Sequence, residues 1–288
     1  MLADMVKRLH SKELDPLRPL IDEYMIIRDT PKAKGRVRSH EISMVARARP
    51  GGRFSPSSIG RCDRQAILKF LGYKGSRKVN PDKELLFDDG NWRHHKWQAL
   101  FRDMEAVFGD PEKFKVIDIE YFVHLDEWHV AGNLDVTLLI HGKLYVIDIK
   151  GINRRGFDWI NREDEPKDDA VRQLLAYMKA KGIEDGILLY DCKDTQRTKC
   201  FAVGFDTGHW KSAVAWLKEQ HAHLKKRRMP PMHPDCKLGS SMADTCQFYK
   251  VCHVQKLSDE KLQRKAYKGF TSIDEVWAEA MKAFEEAA

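Results

Sequence analysis

Three runs in the middle of the chain, Phe114 to Phe122, Trp128 to Ile140 and Leu144 to Ile149, alternate or cluster β-branched and apolar residues. His141-Gly142 sits between the last two as a tight-turn pair. Strands this apolar have to pair and be covered, so an antiparallel meander belongs at the centre of the fold. On both sides the hydrophobic period becomes helical. Ser55-Pro56-Ser57-Ser58 is expected to cap a helix carrying Ile59, Ile67, Leu68 and Leu71 and closed by Gly72. A second helix is predicted from about Asp82 to Phe108, with a bend near Gly90. After the meander the pattern predicts a helix over Asp168 to Lys181, strands over Gly186 to Tyr190 and Lys199 to Phe205, and a helix over Gly208 to Arg228. That order describes an α/β core flanked by helical pieces.

Toward the N-terminus, Leu2, Met5, Val6 and Leu9 form a helical stripe that Pro16 and Pro19 interrupt, so short helices are expected. From Pro31 to Arg53 come Lys32, Lys34, Arg36, Arg38, Arg47, Arg49 and Arg53 against the single acid Glu41, a basic arm or linker. The chain therefore divides into a helical and basic arm over 1–54, a core domain with the cysteine cluster over 55–256 and a helical tail over 257–288. Lys and Arg number 50 against 43 acids, a net +7 that favours a polyanionic partner without naming one. No apolar run approaches the ~20 residues that span a bilayer, and the N-terminus lacks a secretory stretch. A soluble protein of the cytoplasm or another reducing compartment is expected. In that setting six cysteines read as metal ligands or buried thiols rather than as a disulfide framework.

The chemistry sits in the meander. Asp135 interrupts the apolar strand Gly132-Asn133-Leu134-Asp135-Val136, and Asp148 and Lys150 flank Ile149 in the next. Period-2 geometry puts Asp148 and Lys150 on one face, and the turn brings Asp135 alongside. Two carboxylates and an ammonium on one spot favour a hard divalent ion, Mg²⁺ or Mn²⁺, which activates water and neutralises a phosphate. Phosphodiester hydrolysis is the natural use. An Asp–Lys salt bridge at a sheet rim uses the same tripeptide, and Asp-x-Lys alone does not choose between them.

Other residues gather around this pattern. On the second helix Phe87, Gly90, His94, Trp97 and Phe101 share a face that turns His94 inward, while Asp88, Asn91, His95, Gln98 and Arg102 form a polar solvent face. Gln173 and Tyr177, four apart, share one side of their helix and are able to reach the acids together or to make a surface hydrogen bond. Cys62 precedes the core and Cys236, Cys246 and Cys252 follow it, a set that suits an iron–sulfur cluster or structural zinc and would clasp the two ends. His233 and His253 are alternative zinc ligands, and Cys192 and Cys200 are strand thiols. Arg61, Arg64, Arg154, Arg155 and the Lys225-Lys226-Arg227-Arg228 run are candidate phosphate contacts. Phe157 and Trp159 are candidates for base stacking, with Trp92 assigned to core packing.

An acid, a hairpin, then acid-x-Lys resembles the PD-(D/E)XK nucleases. His94 in a G-x-x-x-H pattern and Gln173 with Tyr177 as Q-x-x-x-Y resemble their RecB-like branch, over roughly Ser55 to Cys252. The resemblance implies a restriction-endonuclease-like core, a mixed central sheet flanked by helices, with helical N- and C-terminal additions clasped by a metal cluster. It implies His94, Asp135, Asp148 and the main-chain carbonyl of Ile149 as metal ligands, and Lys150 as the catalytic lysine beside Gln173 and Tyr177. The cysteines are similar to those of iron–sulfur RecB-like nucleases, including the AddB-type helicase-nucleases and the CRISPR-associated exonuclease family, which implies a 4Fe-4S cluster. The nine residues between Cys236 and Cys246 depart from that pattern.

The implied activity is exonuclease action on single-stranded or free-ended DNA in recombination, repair or phage DNA processing, in a bacterial or phage-infected cell. The alternatives are a flap or other structure-specific endonuclease with the same site and a non-catalytic DNA-binding scaffold. There is no G-x-x-x-x-G-K-S/T loop, so a helicase or recombination protein would be a separate partner.

Overall fold

The computed structural model describes residues 15–27, 51–75, 81–240, 242–243, 246–254 and 258–285. The Leu2–Leu9 stripe and the basic arm before Arg53 lie outside them. The chain divides into two compact units. The first takes its described residues from within Met1–Val45, Phe87–Val123 and Gly132–Trp210, and the second from within Ala46–Leu86, His124–Ala131 and Lys211–Ala288.

The first unit is built on a five-stranded sheet in the order β1 (Phe114–Leu125), β2 (Val130–Ile140), β3 (Lys143–Ile152), β4 (Asp185–Cys192), β5 (Thr198–Gly204). His141 and Gly142 both have positive φ, 49° and 76°, the backbone that a two-residue hairpin turn requires. They set the antiparallel register of β2 and β3, from Ile140↔Lys143 to Val136↔Ile147. The chain then runs through α4 (Arg154–Glu163) and α5 (Asp168–Lys181), and the crossover lets β4 join β3 in parallel before β5 returns antiparallel. For the same labelling, α1 is Leu17–Ile27, α2 Asp63–Phe70, α3 Pro81–Phe108 and α6 Thr207–Lys225.

Parallel strands are covered on both faces, which is why β3 and β4 read as nearly unbroken apolar runs. Leu17, Leu20, Trp97, Phe101 and Met104 of α1 and α3 pack with Ile147, Ile149, Ile187 and Leu189. Phe157, Ile160, Leu174, Leu175 and Met178 of α4 and α5 pack with Val146, Leu188 and Tyr190, the alternate positions of the same strands. A mixed sheet flanked by helices, the α/β core expected from the sequence, is what this unit forms.

Several local expectations change. A short helix is found where expected, α1, beginning just after Pro16 with Asp15 Oδ1 accepting from the Leu17 amide at 3.0 Å, but Pro19 does not interrupt it: it lies in the first turn, where no amide donor is needed. The Ser55 helix is instead a 3-10 turn, Pro56–Ser58, followed by α2, so Cys62 is the residue that precedes the helix. α3 runs unbroken through Gly90. The stretch after Lys150, for which the pattern predicts no element, contains α4, whose first turn is capped by Asn153 Oδ1 accepting from Gly156 N at 2.8 Å. Trp92 is 49% exposed rather than packed in the core.

The second unit contains α2, most of α6, α7 (Asp259–Ala266) and α8 (Ile273–Glu285). Asp63 accepts from Trp216 Nε1 at 2.7 Å and Gln220 Nε2 at 2.8 Å, which ties α2 to α6. Phe54 packs against Phe70 with ring centroids 4.8 Å apart and the rings tilted by 39°. Gly52, at φ +83°, has no room for a side chain, since a Cβ there would collide with the Val276 carbonyl. Among the described residues no helix is long and apolar enough to cross a membrane.

Candidate metal centre

The hairpin register makes Asp135 and Asp148 the pair that follows Val136↔Ile147. Both carboxylates are buried, Asp148 with only 1% of its surface exposed. Asp135 Oδ2 accepts from the Ile149 amide at 2.7 Å, and Lys150 Nζ lies 2.7 Å from Asp148 Oδ2. Gln173 of α5 joins the two: its Oε1 accepts from Lys150 Nζ at 2.8 Å, and its Nε2 donates to Asp148 Oδ1 at 3.2 Å and to the Tyr177 hydroxyl at 3.5 Å. From the opposite side α3 brings His94 Nδ1 to 3.2 Å from Asp135 Oδ1. His94 with Asp135, and Asp148 with Lys150, Gln173 and Tyr177, named separately from the sequence, are thus two sets of contacts joined by the Ile149 amide and by the charge of Asp135 on Asp148.

Two members were missed. Glu120 of β1 joins His94 and Asp135 in a group whose ligand atoms all lie within 4.8 Å of one another. Gln98 Nε2 donates to Glu120 Oε1 at 2.7 Å, and Gln98 is buried rather than on the solvent face. The signal for Gln98 was present, since it lies four residues after His94 and so on the same side of α3. Glu120 left no such signal. Its φ of 50° breaks the alternation of β1 at that one residue, and strand periodicity has no way to show it.

Charge is crowded here. Asp135, with Asp148 and Glu120 behind it, holds the His94 imidazolium up to about 9 against the effect of burial. Burial alone would raise Asp135, but His94, Lys150 and the Ile149 amide bring it below the ordinary carboxylate range. Asp148 is pushed up to about 6 by burial, opposed by Lys150 and reinforced by the charge of Asp135. Burial and Asp135 also raise Glu120. Imidazole and carboxylates converging in this way are the donor set of a Mn²⁺ or Mg²⁺ site, and a divalent cation relieves the repulsion that a proton now relieves.

A second set of contacts holds α3 in place. Asp191, wholly buried at the end of β4, accepts from Arg93 Nη1 at 3.0 Å and Trp97 Nε1 at 3.1 Å, and Arg93 Nη2 donates to the Lys193 carbonyl at 3.2 Å. Arg93 precedes His94, so this buried ion pair fixes the turn of helix that presents the imidazole.

Cys62, Cys236, Cys246 and Cys252 belong to the second unit. Burial pushes the Cys236 thiol up to about 11, and Cys62, Cys246 and Cys252 stand near enough for their charges to add to it. Among the described residues no three of the four sulfurs come within 4.8 Å as a group. His253 Nε2 lies 3.4 Å from Cys236 Sγ, while His233 Nδ1 accepts from the Asp235 amide at 3.2 Å. Cys192 and Cys200 are in β4 and β5.

Arg64 leaves the phosphate set: it is 6% exposed, and its guanidinium donates to the Pro230 carbonyl and to Asp259, both at 2.9 Å. Arg61 is exposed, as are Arg154 and Arg155 in the first turn of α4. Phe157 is buried under α4 and is not free to stack on a base.

No protein-family model matches the chain, and no curated protein does. Among solved structures it is similar to an alkaline exonuclease (LHK-Exo) from Laribacter hongkongensis, at 13% identity and a TM-score of 0.41 over 61% of this chain and 91% of that one. The same exonuclease in complex with dAMP gives 14% and 0.39 over the same shares. SSO0001 gives 16% and 0.40 over 84% of this chain and 96% of that one. The roles of the site residues rest on their own geometry.

Proposed function

We propose that the chain is a metal-dependent DNA nuclease of the PD-(D/E)XK type, acting as an exonuclease on single-stranded or free-ended DNA. The observation that carries the reading is Gln173 bridging Lys150 and Asp148 beside the His94, Glu120 and Asp135 group. A structural Asp–Lys salt bridge needs neither an inward histidine nor a second and third carboxylate next to it.

His94, Glu120, Asp135, Asp148 and the Ile149 carbonyl would hold the ion. A bound Mg²⁺ or Mn²⁺ supplies a water of lowered pKa and neutralises phosphate charge. Lys150, ion-paired to Asp148 and oriented by Gln173, stabilises the negative charge that grows on the phosphate during attack. Gln173 is in turn steadied by Tyr177, so the ammonium is held in one direction rather than swinging in solvent. The preference for free ends comes from the RecB-like pattern in the sequence.

Digestion of end-labelled linear single strands, linear duplexes and closed circles in Mn²⁺ and Mg²⁺ tests the reading. Loss of linear substrate from its ends is expected. Breakage of circles would replace the exonuclease with an endonuclease at the same site.

A 4Fe-4S cluster on Cys62, Cys236, Cys246 and Cys252 is the second part of the proposal. It is supported by the four thiols standing near enough to act on one another's charge and by the resemblance of their pattern to iron–sulfur RecB-like nucleases. Anaerobically purified protein should contain iron and absorb in the visible. Stoichiometric zinc would overturn this part.

A further inference from the structure

Two adjoining depressions open on α4 and share Arg155 and Trp159. The larger, about 730 Å³, runs from Asn153 and Trp159 to the 165–169 segment, where Glu165, Asp168 and Asp169, with Lys167 among them, form a far wall of net negative charge. The smaller, about 620 Å³, has Arg154, Arg155 and Arg162 around Asp158. Arg155, Trp159 and Arg162 follow one another at helical spacing, so a single face of α4 presents cation, indole, cation. Trp159 keeps 40% of its surface in water at the junction of the two depressions. Among the described residues Arg155 has no carboxylate partner; Arg154 stands 3.6 Å from Asp158, and Arg162 pairs with Glu163 at 2.7 Å.

The two sides differ in net charge, three carboxylates to one lysine on the far wall against three arginines to one carboxylate on the other, and that difference selects the ligand. A polyanion that lay across the acidic wall would be repelled, whereas a neutral ring with exocyclic amines would find acceptors there. Phosphates suit only the arginine side.

We propose that this face of α4 is a nucleotide subsite for a single DNA strand: the base enters the larger depression, stacks on Trp159 and directs its amino group to the acidic wall, while the flanking phosphates cross Arg154, Arg155 and Arg162. The proposal rests on the nuclease reading. Asn153 follows Lys150 by three residues, roughly 10 Å of extended chain, and α5 passes from Asp168 at the cavity to Gln173 at the metal centre. A strand seated here leads directly to the acids. Because thymine has no exocyclic amine, strands of adenine bind more tightly than strands of thymine.

The test is fluorescence anisotropy of fluorescein-labelled deoxyadenylate and thymidylate dodecamers with the full chain in EDTA, which holds off cleavage. Trp159→Ala is expected to weaken deoxyadenylate binding about tenfold and Trp159→Phe to retain most of it. Arg155→Ala is expected to flatten the dependence on salt by about one phosphate. Asp168→Asn is expected to reduce the preference for adenine. Trp159→Ala that binds as wild type, in a protein whose metal-dependent cleavage is lost in Lys150→Ala, overturns the subsite and leaves the nuclease standing. Wild-type protein that neither binds nor cleaves any strand overturns both.

Discussion

His94 and its neighbour set the terms on which an ion enters the site. Its proton is held up to about 9 by Asp135, 3.2 Å away, and an ion taking the same carboxylate has to displace it. Mn²⁺ affinity measured by calorimetry is therefore expected to rise by about tenfold per pH unit between about 6, below which Asp148 also takes up a proton, and about 9. In His94→Ala the rise should disappear; a flat wild-type profile would mean that the histidine is not a ligand. Glu120 makes a separate claim. Glu120→Gln removes one carboxylate charge, retains the Gln98 hydrogen bond, and should weaken Mn²⁺ binding about tenfold. If Glu120 serves only to bury Gln98, the affinity will not move. Much of the centre was legible residue by residue, since strand alternation aligned Asp148 with Lys150 and the face of α3 separated His94 from His95. Glu120 was not legible, because a single left-handed residue in β1 decides where its side chain goes.

At the scale of elements, two buried arrangements carry predictions. Asp191 ties β4 to α3 through Arg93 and Trp97 with no exposure to water. Asp191→Ala removes the buried carboxylate from Arg93, which retains Asp89 at 3.2 Å, and leaves the Trp97 donor unsatisfied, and should cost about 1–3 kcal/mol in urea unfolding. A loss below about 1 kcal/mol would show that α3 is held by its apolar face alone. Nothing in the sequence marked Asp191, an acid at a strand end before Cys192 that reads like any hairpin rim residue. The second arrangement joins the 126–128 turn, α6 and α8: His129 lies 3.3 Å from His221 and 3.1 Å from Asp274, and His221 stacks on Trp128. Burial, with His129 and Lys225 adding, lowers His221 to about 4, and burial also lowers His129 against the pull of Asp274. Both histidines favour the neutral form when folded, so the unfolded chain binds more protons. Their contribution is intact above the ordinary histidine value of about 6.5 and is lost as pH falls toward 4. Thermal melts across that window should show the midpoint falling with acid, and His221→Gln should flatten the slope. The helix starting at Arg154 was also hidden, because its cap comes from Asn153 immediately after the catalytic strand and the charged run Arg154-Arg155 reads as loop.

For the whole molecule, the division of labour is between a sheet-based unit that gathers the acids and a helical unit that gathers the cysteines. The order of strands and helices gave the first away, since the turn at His141-Gly142 fixes a register that then propagates to β4 and β5. The second is built from pieces distant in the chain, Phe54 and α2 with α6, α7 and α8, and local periodicity has no means of pairing them. Its dependence on a shared centre is open to measurement: Cys252→Ser should lose visible absorption and iron together, while retention of both would remove Cys252 from the ligand set. Hydrolysis at this centre requires Lys150 and the acids to act as one site. Single-turnover cleavage of an end-labelled linear single strand, by wild type and by Lys150→Ala at equal Mn²⁺ occupancy, tests it most directly. A fall in rate on the order of 10²–10³ with Mn²⁺ still bound is the expected result, and equal rates in the two proteins would contradict the site.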